Sequence, residues 1–210
     1  MKLTAVMMLL YELHDREGLP LSEKIRNNHI SKIQYFKIIL SICWQMKNYD
    51  VRFIMVVCRE FLRMCKLREC DGCLSTSAML YLCAKYYGYE PVLCYGVCSF
   101  NNIDFYHAWL EFDGKPLDLA VYGNIMFYPG QVNAHLDKPV VLDEKTAVHY
   151  INMYDEPVDS DIQIARGHKM TEYFRLDNMR LWRTVFLLLG VEKNYNIFSR
   201  LYAIADNSML

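Results

Sequence analysis

The sequence has no apolar run long enough to cross a bilayer and no excess of charge of either sign. Its strongly apolar run from Val185 to Leu189 is far shorter than the roughly 20 residues that a transmembrane helix requires. The 23 basic residues nearly balance the 24 acidic ones, and no block of Lys and Arg is present that would attract a phosphate backbone. We therefore expect no membrane span and no nucleic-acid partner.

The sequence also lacks internal repeats, linkers and low-complexity segments. Hydrophobic residues make up 53% of the 210 residues and charged residues 22%, a composition typical of a globular protein with a substantial core. A chain of this length suits one domain. We predict a single domain over residues 1–210, with a helical part at 1–70, a core of one helix and a small sheet at 71–122, and a mixed, then helical part at 123–210.

A cleavable signal sequence is not indicated at the N-terminus. Residues 1–11 carry one Lys and a short apolar stretch, but Glu12 and further charged residues follow directly, and no small-x-small cleavage site is present. We expect an amphipathic first helix instead, since apolar residues recur there with helical spacing. These are Leu3, Val6, Met7, Leu10 and Leu13.

Eight cysteines are present, which in a small secreted chain would predict a disulfide framework. Here several of them fall on the apolar faces of helical patterns, where a cysteine behaves as a small buried hydrophobic residue. These are Cys43, Cys58, Cys65 and Cys83. We expect reduced thiols and a cytoplasmic protein.

The first half of the chain and its end have helical spacing of apolar residues. One predicted stripe comprises Ile33, Phe36, Leu40, Cys43 and Trp44. Asp50 is the predicted N-cap of the next helix. A further helix is predicted from Cys73 to Tyr87, because Gly88 is typical of a helix C-terminus and Pro91 prevents continuation. Helices are also predicted at 143–151, 171–189 and 194–205.

From Pro91 the apolar spacing changes to that of strands. Three strands are predicted at 92–100, 105–112 and 115–119. Asn101-Asn102 and Asp113-Gly114 supply the turns, and Asp-Gly is a strong hairpin signal. The predicted fold class is therefore α+β, in which the helix that begins at Cys73 packs on a small antiparallel sheet.

The middle of the chain places Cys73 at a helix start, His107 in the second strand and Asp118 in the third. A cysteine at a helix N-terminus is stabilised as thiolate by the helix dipole, and a nearby imidazolium lowers its pKa further. His107 can act as base and later as proton donor, and Asp118 can orient the ring. The Cys73 amide, in the first turn, is a natural oxyanion donor. The pattern predicts the catalytic residues Cys73, His107 and Asp118.

Other interpretations of these residues exist. Asp113 is the rival of Asp118, but as the first residue of an Asp-Gly turn it is expected to have a conformational role. Cys70 and Cys73 form a C-x-x-C pair, which could indicate redox activity or half of a zinc site. A redox pair should follow a strand, and no second pair with ligand spacing follows, so we expect no metal and no cofactor. The histidines at 135, 149 and 168 are expected at the surface.

Two segments of the chain carry a resemblance to a known family. The first is Asp71-Gly72-Cys73-Leu74-Ser75-Thr76-Ser77-Ala78-Met79-Leu80, followed by Gly88-Tyr89-Glu90-Pro91-Val92. The second is His107-Ala108-Trp109-Leu110-Glu111-Phe112-Asp113-Gly114-Lys115-Pro116-Leu117-Asp118. In these segments the chain resembles the transglutaminase-like superfamily of papain-related cysteine enzymes. Within the superfamily, the short spacing is most similar to the B-type leader peptidases of lasso-peptide biosynthesis. The N-terminal seventy residues differ, because they are helical and do not resemble the strand-rich leader-binding domain often attached to those peptidases.

The resemblance implies a thiol enzyme that hydrolyses or transfers an amide of a peptide or protein substrate through an acyl-enzyme. Leader-peptide removal is the most specific version. Two alternatives stay open: a transglutaminase or small-amine acyltransferase that uses the same triad, and a non-catalytic binding module on the same fold.

Overall fold

The computed structural model describes residues 32–67, 72–127, 136–143, 145–152, 165–176, 179–192 and 194–210. The predicted helix at 1–11, Cys70 and His135 lie outside these residues. The helices are α1 (Lys32–Gln45), α2 (Val51–Leu67), α3 (Cys73–Tyr86), α4 (Ala120–Phe127), α5 (Met170–Leu176), α6 (Arg180–Leu189) and α7 (Tyr195–Asp206). The strands are β1 (Val92–Phe100), β2 (Ile103–Phe112), β3 (Lys115–Asp118), β4 (Val140–Val141) and β5 (His149–Asn152).

The five strands form one antiparallel sheet in the order β4-β3-β2-β1-β5. The two predicted turns join its central strands. Asn101 and Asn102 have φ of 50° and 63°, and Asp113 and Gly114 have φ of 51° and 74°. Left-handed backbone at both central residues matches the twist of a tight hairpin, and Asn, Asp and Gly adopt it most readily. The three predicted strands and the α+β class are confirmed.

The helix α3 lies between the sheet and the other helices. It packs on β2 and β1 on one side and on α2, α6 and α7 on the other. The residues of β1, β2 and β3 that face α3 belong to the main core, among them Tyr95, Ala108, Leu110 and Leu117. The opposite face of the sheet covers a smaller core built on Cys94, Cys98, Trp109 and Val140. His107 and Asp118 alternate with the main-core residues and belong to this second face.

The predicted helix at 143–151 is wrong. Residues 149–152 form β5 instead, which pairs with β1 so that Tyr150 lies opposite Cys98 and Asn152 opposite Gly96. A four-residue strand carries too little pattern to be distinguished from a helix, and its pairing with a distant strand decides its conformation.

Two further helical predictions need correction. The stretch 171–189 is divided into α5 and α6, with Met179 in left-handed backbone at φ 68°. In α1 the predicted apolar stripe is rotated, because Phe36 is 48% and Trp44 68% exposed. The buried face comprises Ile38, Ile39, Ile42 and Cys43. Adjacent apolar residues allow either face, and packing on α2 selects one.

In the part of the chain that the structure describes, no helix combines the length and the apolar character that a membrane crossing requires.

Candidate active site

Cys73 is the first residue of α3, and the backbone conformation of the residue before it favours glycine. Gly72 caps the helix with φ 86° and ψ 157°, a backbone conformation that side-chain-bearing residues rarely adopt. The first hydrogen bond of the helix runs from the Thr76 amide to the Gly72 carbonyl at 3.1 Å. The amides of residues 73–75 therefore lie ahead of the helical ladder, where they can stabilise negative charge.

The start of α3 is attached to β2 at one residue, Ala108. The hydroxyl of Ser77 donates to the Ala108 carbonyl at 3.1 Å, and this hydrogen bond is buried. The backbone amide of Ala108 is also close enough to the Cys73 thiol to lower its pKa. Because Ala108 follows His107 directly, these two contacts fix the distance between the cysteine and the histidine.

His107 and Asp118 face each other in the interior. Their side chains are fully buried, and the distance from His107 Nε2 to Asp118 Oδ2 is 2.8 Å. The contact is a close ion pair rather than a well-aligned hydrogen bond, since among the described residues neither ring nitrogen has a hydrogen-bond partner in good geometry. With Nε2 turned to Asp118, Nδ1 is the ring nitrogen left for the Cys73 side chain, which also contacts the imidazole. The structure thus brings all three predicted residues together.

Charge and burial oppose each other in this cluster. Burial by itself raises the pKa of the Cys73 thiol and lowers that of the His107 imidazole. The imidazolium and the Ala108 amide outweigh burial, so that the pKa of Cys73 lies below its ordinary value. The Asp118 carboxylate and the Cys73 thiolate likewise raise the pKa of His107 to about 10. Between these two pKa values the cluster holds a thiolate–imidazolium pair.

Exposure differs among the three side chains in a way that suits attack by sulfur. Cys73 is partly exposed, whereas His107 and Asp118 are 0% and 1% exposed. Phe105 contacts the His107 ring edge to face, with centroids 5.6 Å apart. Of the three residues, Cys73 alone is accessible from outside, and water is kept from the base and the acid.

Asp118 has two further partners that were not predicted. Its Oδ1 accepts a hydrogen bond from the Val121 amide at 3.0 Å, in the first turn of α4. Its Oδ2 accepts one from the Tyr150 hydroxyl, also at 3.0 Å. The Val121 contact could have been inferred from an Asp placed just before a helix, since this is an N-cap pattern. The contact of Tyr150 could not be inferred in this way, because the sequence pattern predicts a helix where β5 lies.

The other candidate residues lie as the sequence predicted where the structure describes them. Asp113 is in the left-handed turn between β2 and β3, and His149 and His168 are exposed. The described cysteines form no disulfide, and Cys43, Cys58 and Cys83 are buried as expected, whereas Cys65 is only partly buried. Among residues 32–67, 72–127 and the shorter described stretches, no group of His, Cys, Asp and Glu has the arrangement of a metal site.

An open cleft of about 520 Å³ lies far from this cluster. Its walls include Tyr49, Gly88, Tyr89 and Phe112, at the C-terminal end of α3. A helix of 14 residues is about 20 Å long, so the cleft and Cys73 are separated by roughly that distance. The cleft therefore takes no part in the chemistry of the candidate site.

Comparison with known proteins agrees with this architecture. A family model described as the transglutaminase-like superfamily matches residues 43–125, which is less than half of the chain but includes Cys73, His107 and Asp118. No curated protein and no solved structure matches. The matched family is the superfamily as a whole, whose members are generally cysteine-dependent hydrolases or acyltransferases, and it does not support the leader-peptidase branch in particular. With its α+β core and the match over residues 43–125, this part of the chain is similar to the transglutaminase-like superfamily.

Proposed function

We propose that this protein is a cysteine-dependent amide hydrolase or acyltransferase that acts on a peptide or protein through a thioester on Cys73. The observation that supports it most directly is the position of the buried His107 ring, which contacts the Asp118 carboxylate at 2.8 Å on one side and the Cys73 side chain on the other. A buried histidine paired with a carboxylate alone would be structural. Its contact with a partly exposed cysteine favours a nucleophile and its base.

The proposed reaction has two halves. In the first, the Cys73 thiolate forms a bond with the carbonyl carbon of the substrate amide, and the resulting oxyanion is stabilised by the Cys73 amide at the start of α3. The C–N bond then breaks, the amine leaves with the proton of the His107 imidazolium, and a thioester remains. In the second half, water gives a proton to His107 while its oxygen attacks the thioester carbon. The acid is released, and the thiolate–imidazolium pair forms again.

An amine can replace water in the second half, which makes hydrolysis and transfer two outcomes of one site. The same thiolate, base and oxyanion donor serve both reactions, and the nucleophile that reaches the thioester decides between them. Product masses measured with and without excess amine separate the two. Hydrolysis products alone in excess amine would exclude transfer.

The substrate proposed here is a peptide or protein chain, on the basis of the sequence resemblance described above. Removal of a leader peptide from a ribosomally made precursor is the specific version proposed first. Reduced thiols at the described cysteines fit a cytoplasmic location for this chemistry.

The proposed function is tested by trapping the thioester. The protein is incubated with a panel of peptides, quenched with acid and measured as intact protein by mass spectrometry, and the peptides are analysed for cleavage. We expect an added acyl mass on wild type and none on Cys73→Ala. Cys65→Ala is the matched control, because Cys65 is also partly exposed but burial raises its pKa to about 12. Cleavage that persists in Cys73→Ala would contradict the proposal.

A further inference from the structure

We propose that Tyr150 is a positioning residue of this site, which holds the Asp118 carboxylate in place against His107. The inference rests on the function proposed above, since it assigns Tyr150 a role in the same reaction. Tyr150 does not touch the reacting atoms. It acts through Asp118 and, by way of Asp118, through the histidine.

The hydrogen bonds around Asp118 support this role. The Tyr150 hydroxyl donates to Oδ2 at 3.0 Å, and Oδ2 is the oxygen that lies 2.8 Å from His107 Nε2. The other oxygen, Oδ1, accepts from the Val121 amide at 3.0 Å. The backbone contact fixes one oxygen of the carboxylate, and the tyrosine fixes the oxygen that faces the base. Without the hydroxyl, the oxygen that faces the base would be held by the ion pair alone, and the Val121 amide would hold only the other oxygen.

The tyrosine ring is held independently of its hydroxyl. Its centroid is 4.9 Å from that of the fully buried Trp109, and it packs against the second core of the sheet. The indole N–H of Trp109 donates to Glu111 Oε1 at 3.0 Å, which fixes the indole in turn. The side chain can therefore place its hydroxyl accurately, and loss of the hydroxyl leaves the ring packing intact.

The reach of Tyr150 across the sheet shows that the sheet is strongly curved. Tyr150 is on β5 and Asp118 on β3, and both β1 and β2 lie between them. Gly96 on β1 permits β5 to lie close, since a β-carbon there would be 1.9 Å from the Ile151 carbonyl oxygen. Ile151 follows Tyr150 directly, so the close approach of β5 to β1 also fixes the position of the Tyr150 backbone.

The Tyr150 hydroxyl is a donor at every pH at which the ion pair exists. Burial and the neighbouring Asp118 carboxylate raise the pKa of Tyr150 well above its ordinary value. The phenol therefore keeps its proton and does not add a second negative charge beside Asp118.

The experiment compares the alkylation rate of Cys73 by iodoacetamide in wild type and Tyr150→Phe at two pH values. At about pH 6 a free thiol is protonated, so fast reaction depends on the histidine, whereas at about pH 10 a free thiol is ionised and the rate should depend less on the histidine. We expect Tyr150→Phe to slow Cys73 about tenfold at the lower pH, the change in thiolate fraction that one pKa unit produces, and to leave the rate at the higher pH nearly unchanged. Tyr89→Phe is the control, because its hydroxyl accepts a 2.6 Å hydrogen bond from the Asp50 amide beyond the far end of α3.

The outcomes separate this inference from the proposed function. If wild-type Cys73 reacts fast at the lower pH and Tyr150→Phe matches it, the positioning role is wrong and the proposed function stands. An equal loss at both pH values would mean a general loosening of the sheet and would also overturn the role. If wild-type Cys73 is itself as slow as Cys65 at the lower pH, the proposed function fails and this inference fails with it.

Discussion

The hydroxyl of Ser77 on α3 donates a buried hydrogen bond to the carbonyl of Ala108 on β2, at 3.1 Å. Since the Ala108 amide also lowers the pKa of the Cys73 thiol, one residue of β2 acts on two positions of the nucleophile helix. Ser77→Ala leaves that carbonyl buried without its donor. We expect the free energy of unfolding in urea to fall by about 1–2 kcal/mol. Alkylation of Cys73 near neutral pH should slow several-fold, because α3 is no longer fixed beside His107.

Ser208→Ala is the matched control for Ser77→Ala. Its hydroxyl donates to the Ile204 carbonyl at 2.8 Å and is also largely buried, but at the end of α7. We expect a similar loss of stability and no change in the reactivity of Cys73. If both variants change Cys73 reactivity equally, the attachment at Ala108 has no special role.

Asp118→Asn removes the charge at the candidate site and keeps the shape of the side chain. Asp118 is the main group that raises the pKa of His107, so the imidazolium of the variant should lose its proton at a lower pH. The thiolate of Cys73 then loses its partner. The direct repulsion between Asp118 and the thiolate, which the substitution relieves, is the smallest of the effects on Cys73. We expect alkylation of Cys73 near neutral pH to fall about tenfold or more, with the rate profile moved to higher pH.

Asp113→Asn tests whether that effect is specific. Asp113 is the other aspartate of the same hairpin and has φ 51° in its turn, a conformation that asparagine also adopts readily. The variant should fold and react like wild type. If Asp113→Asn slowed the alkylation of Cys73 as much as Asp118→Asn does, the orienting role would not be specific to Asp118.

Gly96→Ala should destabilise the protein through a backbone clash. The new β-carbon would lie 1.9 Å from the Ile151 carbonyl oxygen, so β5 must move away from β1. We expect a loss of about 3 kcal/mol in the free energy of unfolding, measured in urea. Gly114→Asn is the comparison, because Gly114 has φ 74° with open space around it and asparagine tolerates that backbone. A loss below about 0.5 kcal/mol for Gly96→Ala would show that β5 does not lie as close as described.

The sequence predicted the centre of the fold because its signals there are local. Asp113-Gly114 strongly favours a tight hairpin, and Gly88 and Pro91 mark the end of α3. The helix, the strands and the hairpin can therefore be predicted without knowledge of the rest of the chain. Once these elements were placed, the positions of Cys73 at a helix start and of His107 and Asp118 on neighbouring strands followed from the register of the hairpin.

The parts that were missed depend on distant contacts. Residues 149–152 become a strand only because β1 is available beside them, and the contact of Tyr150 with Asp118 depends on the curvature of the whole sheet. Met179, between α5 and α6, has left-handed backbone, and methionine is not a residue type from which this conformation can be predicted. The buried face of α1 was decided by packing, which left Trp44 exposed.

The measurement that tests the central claim most directly is the alkylation rate of each cysteine against pH, read by mass spectrometry, in wild type and His107→Ala. The lowered pKa of Cys73 means that its thiolate forms at a lower pH than that of an ordinary thiol, and the raised pKa of His107 keeps the imidazolium beside it up to about 10. We predict that Cys73 alone reacts fast below about pH 7, that Cys65 stays slow there, and that His107→Ala removes the advantage of Cys73. Slow reaction of Cys73 at a rate equal to that of Cys65, unchanged by His107→Ala, would contradict the account and favour a non-catalytic binding module on this fold.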